Sequence, residues 1–183
     1  MGDVRLCIPN YSIKTVLWEY IVKSAQINSG FVIETAALKQ SIKALALNGE
    51  AKPFIDYIVR NIFNKLSNRD LQNFDEKYVK IMLLGCLFQS NVYVPVSEIE
   101  TSNGYVDIYL RRSPLLPEVK YEWIFELKYL KASVKSPELD AVRKDAQKQL
   151  QDYSSSALMK DSKDLKKAVI LFIGKNKYEL FMN

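Results

Sequence analysis

The chain has 183 residues, 48% of them hydrophobic, with only six glycines and six prolines. That is enough to bury a core as one domain, or as one domain with a helical extension. It has no histidine and two cysteines, which excludes Ser-His-Asp and Cys-His catalysis and leaves no reasonable zinc site. Its net charge of +5 sits wholly in the last third, since residues 1–127 carry 14 basic and 14 acidic side chains and residues 128–183 carry 12 and 7. Such an excess suits a polyanionic partner; a solvated, lysine-rich surface is the plainer reading of charge alone. No apolar run approaches the roughly 20 residues that span a bilayer. The opening MGDVRLCIPN lacks the basic and apolar regions of a secretory signal. A cytoplasmic protein without membrane attachment is expected, with Cys86 in IMLLGCLF a buried thiol of a reducing compartment.

The first seventy residues read as helical. YSIKTVLWEYIVKSA repeats apolar residues at Ile13, Val16, Leu17, Tyr20 and Ile21, a 3.6-residue stripe. ETAALKQSIKALAL is a second amphipathic helix, stopped near Asn48-Gly49. AKPFIDYIVRNIFNKL is a third, with Pro53 in its first turn and Ile55, Ile58, Val59, Ile62 and Phe63 inward. A polar stretch at 68–73 marks the boundary between a helical region, 1–70, and a second domain, 71–183. FDEKYVKIMLLGCLFQ is then a more apolar helix, expected to lie against a sheet.

Three runs rich in Val, Ile and aromatics follow: NVYVPVSEIE, GYVDIYLRR and YEWIFELKYL. Asn103-Gly104 signals a hairpin between the first two. PELDAVRKDAQKQLQDY is a helix striped by Leu139, Val142, Ala146 and Leu150, KAVILFIG is a buried strand, and KYELFM follows a Lys-Asn turn. A hairpin followed by a β-α-β crossover predicts an α/β fold, a mixed sheet flanked by helices and preceded by the helical region.

Alternation along YEWIFELKYL puts Glu126 and Lys128 side by side on the face shared with Glu122 and Ile124. Burying either charge alone is costly, so the pair needs partners or a ligand; an edge strand with both side chains in water is the competing reading. Asp107 interrupts another β-rich run, against strand propensity. On neighbouring strands, Asp107 and Glu126 can converge on one hard cation of the Mg²⁺ kind, which takes carboxylate, water and phosphate oxygens. Lys128 is then placed to orient an attacking water or to balance charge developing on a phosphate. Trp123, Phe125, Tyr105 and Tyr109 read as core or semi-core aromatics.

Asp107, a strand-sized gap and Glu126-Leu127-Lys128 resemble the D…(D/E)xK core of the PD-(D/E)xK nuclease superfamily, with Val106 where the motif's name has proline. That resemblance implies a restriction-endonuclease-like sheet and an Mg²⁺-dependent nuclease, Mn²⁺ serving as substitute. It implies Asp107, Glu126 and Lys128 as catalytic residues, joined by Glu76 from the preceding helix, with Asp107, Glu126 and Glu76 as metal ligands. Asp75 becomes the alternative if the helix phase slips, and Glu76 with Lys80 at i,i+4 also reads as an ordinary surface pair. Gln149 and Tyr153 match a Gln-x-x-x-Tyr pattern seen in several branches, and share one helical face. Glu98 is a further auxiliary candidate, and Lys131, Lys135, Arg143, Lys144 and Lys148 would track phosphates.

SEIETSNGYVDIYL and YEWIFELKYLK further resemble the nuclease-like C-terminal domain of bacterial AAA-ATPase-like proteins, and residues 3–70 the helical region after the ATPase core. No GxxxxGK[ST] stretch is present, so no P-loop is available for ATP. The expected partner is nucleic acid, DNA favoured, with an ATPase core or a second copy as possible partners of residues 10–67. The competing functions are a catalytically silent nucleic-acid-binding module and a protein-interaction domain.

Overall fold

The structure, a computed structural model, describes residues 34–67, 74–101, 104–154 and 164–182, together with Val16 and Tyr20. The first expected helix, the boundary at 68–73 and Cys7 lie outside the described residues. Residues 34–183 form one compact unit. Among the described residues no helix is long and apolar enough to cross a membrane.

Helix α1 (Thr35–Lys43) continues into a π-helical turn, Ala44–Asn48, closed by Gly49 in the left-handed region at φ 69°. A Cβ at Gly49 would meet only the flexible end of the Lys166 side chain, so it is the left-handed backbone that favours glycine here. The turn's carbonyls serve the sheet. Leu45 O accepts from the Trp123 indole N–H at 3.1 Å, and Ala46 O accepts from the N–H groups of Lys120 and Tyr121 at 2.9 and 3.1 Å. Helix α2 (Lys52–Asn61) starts with Pro53 in its first turn and runs into a 3₁₀ turn, Phe63–Lys65. All five expected inward residues are buried, and so are Phe54 and Tyr57, because the helix is covered over more of its circumference than a single stripe.

Helix α3 (Glu76–Leu87) is capped by Asp75, whose carboxylate accepts from the N–H groups of Lys77 and Tyr78. Strands β1 (Tyr93–Thr101) and β2 (Gly104–Arg112) form the hairpin. Thr101 pairs with Gly104, so the glycine opens β2 and the connecting residues 102–103 fall outside the described set. β3 (Glu122–Leu130), helix α4 (Ser136–Ser154), β4 (Leu165–Ile173) and β5 (Lys177–Met182) complete the unit.

The sheet order is β1-β2-β3-β4-β5, with β3 and β4 parallel and the other neighbours antiparallel. This is the expected mixed, restriction-endonuclease-like α/β architecture. β3 is the middle strand and is covered on both faces, which removes the reading of an edge strand with a solvated Glu126-Lys128 pair. On one face Phe63 packs against Phe172 at 5.0 Å between centroids, and Tyr178 donates to Asp56 at 2.8 Å. On the other, Ala146 of α4 packs on Val169, the β4 partner of Glu126. Trp123 and Phe125 are buried and Tyr109 is half-buried, as expected, but Tyr105 is 64% exposed. It stands opposite Glu100 at the hairpin end, where alternation alone does not ensure cover. Cys86 is buried, and burial pushes its thiol up to about 12.

Candidate active site

The β2–β3 ladder runs through Leu110↔Trp123, Tyr109↔Ile124 and Ile108↔Phe125. At the next position the backbone pairing gives way to a side chain: Asp107 Oδ2 accepts from the N–H of Leu127 at 2.9 Å. A strand aspartate, unfavourable by propensity, thus closes the end of a ladder and is pinned beside Glu126.

Glu126 is 7% exposed. Its Oε1 accepts from the Lys128 ammonium at 3.3 Å and from the Gln149 amide at 3.3 Å. The cation and the amide on one oxygen offset part of the cost of burying this carboxylate. For Lys128, burial works against the charge, but the Glu126 and Glu76 carboxylates outweigh it and raise the ammonium above its ordinary range. Glu76, at the start of α3, accepts from the Tyr129 N–H at 3.4 Å. Desolvation raises its carboxylate above the usual range, against the opposing pull of Lys128.

Asp107, Glu126, Lys128, Glu76 and Gln149 therefore meet around the end of the β2–β3 ladder, from two strands and two helices. Asp75 is occupied in capping α3. The side chain of Tyr153 lies outside the described residues. Glu98 is a largely exposed neighbour joined to the group through Lys80, whose Nζ is 2.7 Å from Glu98 Oε1 and 3.5 Å from Asp107 Oδ1. Sequence reasoning placed Lys80 in a helix-surface pair with Glu76; its only other signal was a face shared with that residue, one helical turn away.

Among the basic candidates, Lys131, Lys135, Lys144 and Lys148 are exposed. Arg143 is committed to ion pairs, with Nε 2.8 Å from Glu179 Oε2 and NH1 2.9 Å from Asp140. Lys131 lines two grooves that share Tyr129 and Ser133. One, of about 550 Å³, reaches Glu76 and Lys77; the other, of about 480 Å³, adds Lys175 and Lys177 and no acidic residue.

The donor set fits a hard divalent ion. It consists of carboxylate oxygens, and Gln149 Oε1 is buried without a partner beside Glu126. Among the described residues no three acidic or thiol groups stand together as a ready-made ion cage. Mg²⁺ sites commonly have one or two carboxylates completed by water and substrate phosphate.

The model of the PD-(D/E)XK nuclease superfamily matches residues 74–180, more than half of the chain. The chain belongs to that superfamily. The match runs from just before α3 into β5, so every residue gathered at the ladder's end lies inside it. Members of the PD-(D/E)XK superfamily typically use divalent metal ions. No curated protein matches the sequence.

Proposed function

We propose that this PD-(D/E)XK domain is a metal-dependent nuclease that hydrolyses phosphodiester bonds, with DNA the favoured substrate and Mg²⁺ the working ion. The observation that carries this reading is the buried Glu126 on the middle strand, held by Lys128 and Gln149 next to an Asp107 pinned at the end of the neighbouring ladder. Asp107 and Glu126 would hold the ion, with Glu76 the third carboxylate facing Lys128. A bound ion would supply Lewis-acid stabilisation of charge on the scissile phosphate.

Lys128 keeps its proton and presents it where an attacking water or a phosphate oxygen would lie. Gln149 fixes the orientation of the Glu126 carboxylate, and Asp107 is fixed through the Leu127 N–H. Burial of Glu126 excludes competing water from its inner side. The groove that reaches Glu76 carries Lys77 and Lys131 beside Asp75 and Glu138. The adjoining groove, which shares Tyr129, Lys131 and Ser133 with it, adds Lys175 and Lys177 without an acidic residue. It suits a phosphate backbone, where each neutralised phosphate adds to the salt dependence of binding. Exposed Lys135, Lys144 and Lys148 extend the basic surface along the loop and helix that follow β3.

The test is cleavage of DNA and RNA with Mg²⁺ or Mn²⁺, beside Asp107→Ala and Glu126→Ala. Each substitution should lower the rate by at least about a hundredfold; cleavage surviving both belongs to another site or to a contaminant. Salt-dependent binding without cleavage by the wild type would instead favour the silent-module reading, to which the basic last third lends support. Attachment to an AAA-ATPase core remains a proposal drawn from the sequence resemblance.

A further inference from the structure

Among the described residues, Glu98 is the one non-glycine position with positive φ, at 57°. L side chains adopt that region reluctantly. The β1–β2 register passes from Ser97↔Ile108 to Ile99↔Val106, so the interruption falls directly opposite Asp107. The backbone deviation coincides with a specific contact: Glu98, its side chain 66% exposed, receives the ammonium of Lys80, whose side chain is only 14% exposed.

Lys80 consequently stands between two carboxylates, bonded closely to Glu98 at 2.7 Å and more loosely to Asp107 Oδ1 at 3.5 Å. The other oxygen of Asp107 is already taken by the Leu127 N–H. Oδ1 is therefore the oxygen that faces a cation, and the ammonium now facing it would repel a divalent ion placed there. A lysine has the flexible stem needed to shift between two nearby acceptors.

We propose that Lys80 is a positioning residue that competes with the metal for Asp107, and that Glu98 draws it aside and thereby sets metal affinity. The inference rests on reading Asp107 as a metal ligand. Lys80 balances Asp107 in the metal-free protein, and the carboxylate of Glu98, reached through a strained backbone, keeps the ammonium from remaining on Oδ1. Glu98 acts through Lys80 and needs no contact with the ion.

Isothermal titration of the full chain with Mn²⁺ alone tests this, without substrate or turnover. Lys80→Met should strengthen Mn²⁺ binding by on the order of tenfold, since it removes one like charge a few ångströms from the ion. Glu98→Gln should weaken it by a similar factor, because the ammonium released from Glu98 settles on Oδ1 of Asp107. In the Lys80→Met background, the effect of Glu98→Gln should shrink severalfold, leaving only the through-space attraction of its charge. Lys80→Arg, which keeps the charge, should remain close to wild type, and thermal unfolding of each variant separates loss of fold from loss of metal. A Glu98→Gln effect that persists at full size without Lys80 would show that Glu98 acts on the ion directly and overturn the proposal; so would weaker binding in Lys80→Met. Mn²⁺ binding unchanged in Asp107→Asn would overturn the metal-ligand reading itself, a result separable from the other two.

Discussion

Glu122 and Glu126 project from the same face of β3, and the sheet puts them to opposite uses. Glu122 accepts from Tyr109 Oη at 2.7 Å and from the N–H of Arg112 at 2.8 Å, so both oxygens are engaged within the sheet. Burial and Glu122 together push the Tyr109 hydroxyl up to about 12. Glu126 instead collects Lys128 and Gln149 at the end of the ladder, beside a buried amide oxygen that has no partner. Glu122→Ala leaves a hydroxyl and a backbone N–H unpaired, and should cost about 2–3 kcal/mol in urea unfolding; Tyr109→Phe should cost about 1 kcal/mol. Neither change touches the proposed metal ligands, so loss of stability without loss of Mn²⁺ affinity is the expected pattern.

At the scale of elements, the tie between α2 and β5 is a small polar network in which Asp56 accepts from Lys52 and Tyr178, both at 2.8 Å. Burial would raise the Asp56 carboxyl, but the hydrogen bonds from Lys52 and Tyr178 outweigh it and hold the group below its ordinary 3.8. The folded state then binds fewer protons than the unfolded state in the window below 3.8. The stabilisation is complete above that value and is lost as pH falls through the folded-state value. Asp56→Asn should therefore lower stability by about 1 kcal/mol near neutrality, with the difference from wild type shrinking on acidification below 3.8. A gap that stays constant from pH 7 to pH 3 would show that the charge contributes nothing.

For the whole molecule, helices α1 and α2 supply one cover of the sheet. Phe63 lies against Phe172 and Phe74, and the Leu45 carbonyl holds the Trp123 indole. A fragment of residues 70–183 would expose that apolar face, and large uncovered patches of this kind lead to association. It should be less stable than the full chain, and should aggregate or bind a hydrophobic dye. A fragment as stable as the full chain and monomeric by light scattering would show that the helices are dispensable.

The order of elements was legible along the chain because it rests on local regularities. Period-2 and 3.6-residue apolar patterns, Pro53 in a first turn and Gly49 after a helix all act within a few residues. The Asp107, Glu126 and Lys128 spacing was equally visible, as was Gln149. What the chain could not show was which partner each charged group would meet. Alternation puts Glu122, Glu126 and Lys128 on one face without distinguishing a ladder brace from a candidate ligand. Only the strand order made β3 central, burying Glu122 and Glu126 and leaving Lys128 half-buried. Lys80 gave no comparable signal, because its partners Glu98 and Asp107 come from a hairpin well beyond its own helix. Periodicity is a property of neighbours in sequence, whereas burial and charge pairing belong to neighbours in space; the first determined the fold class and the second brought the candidate site together.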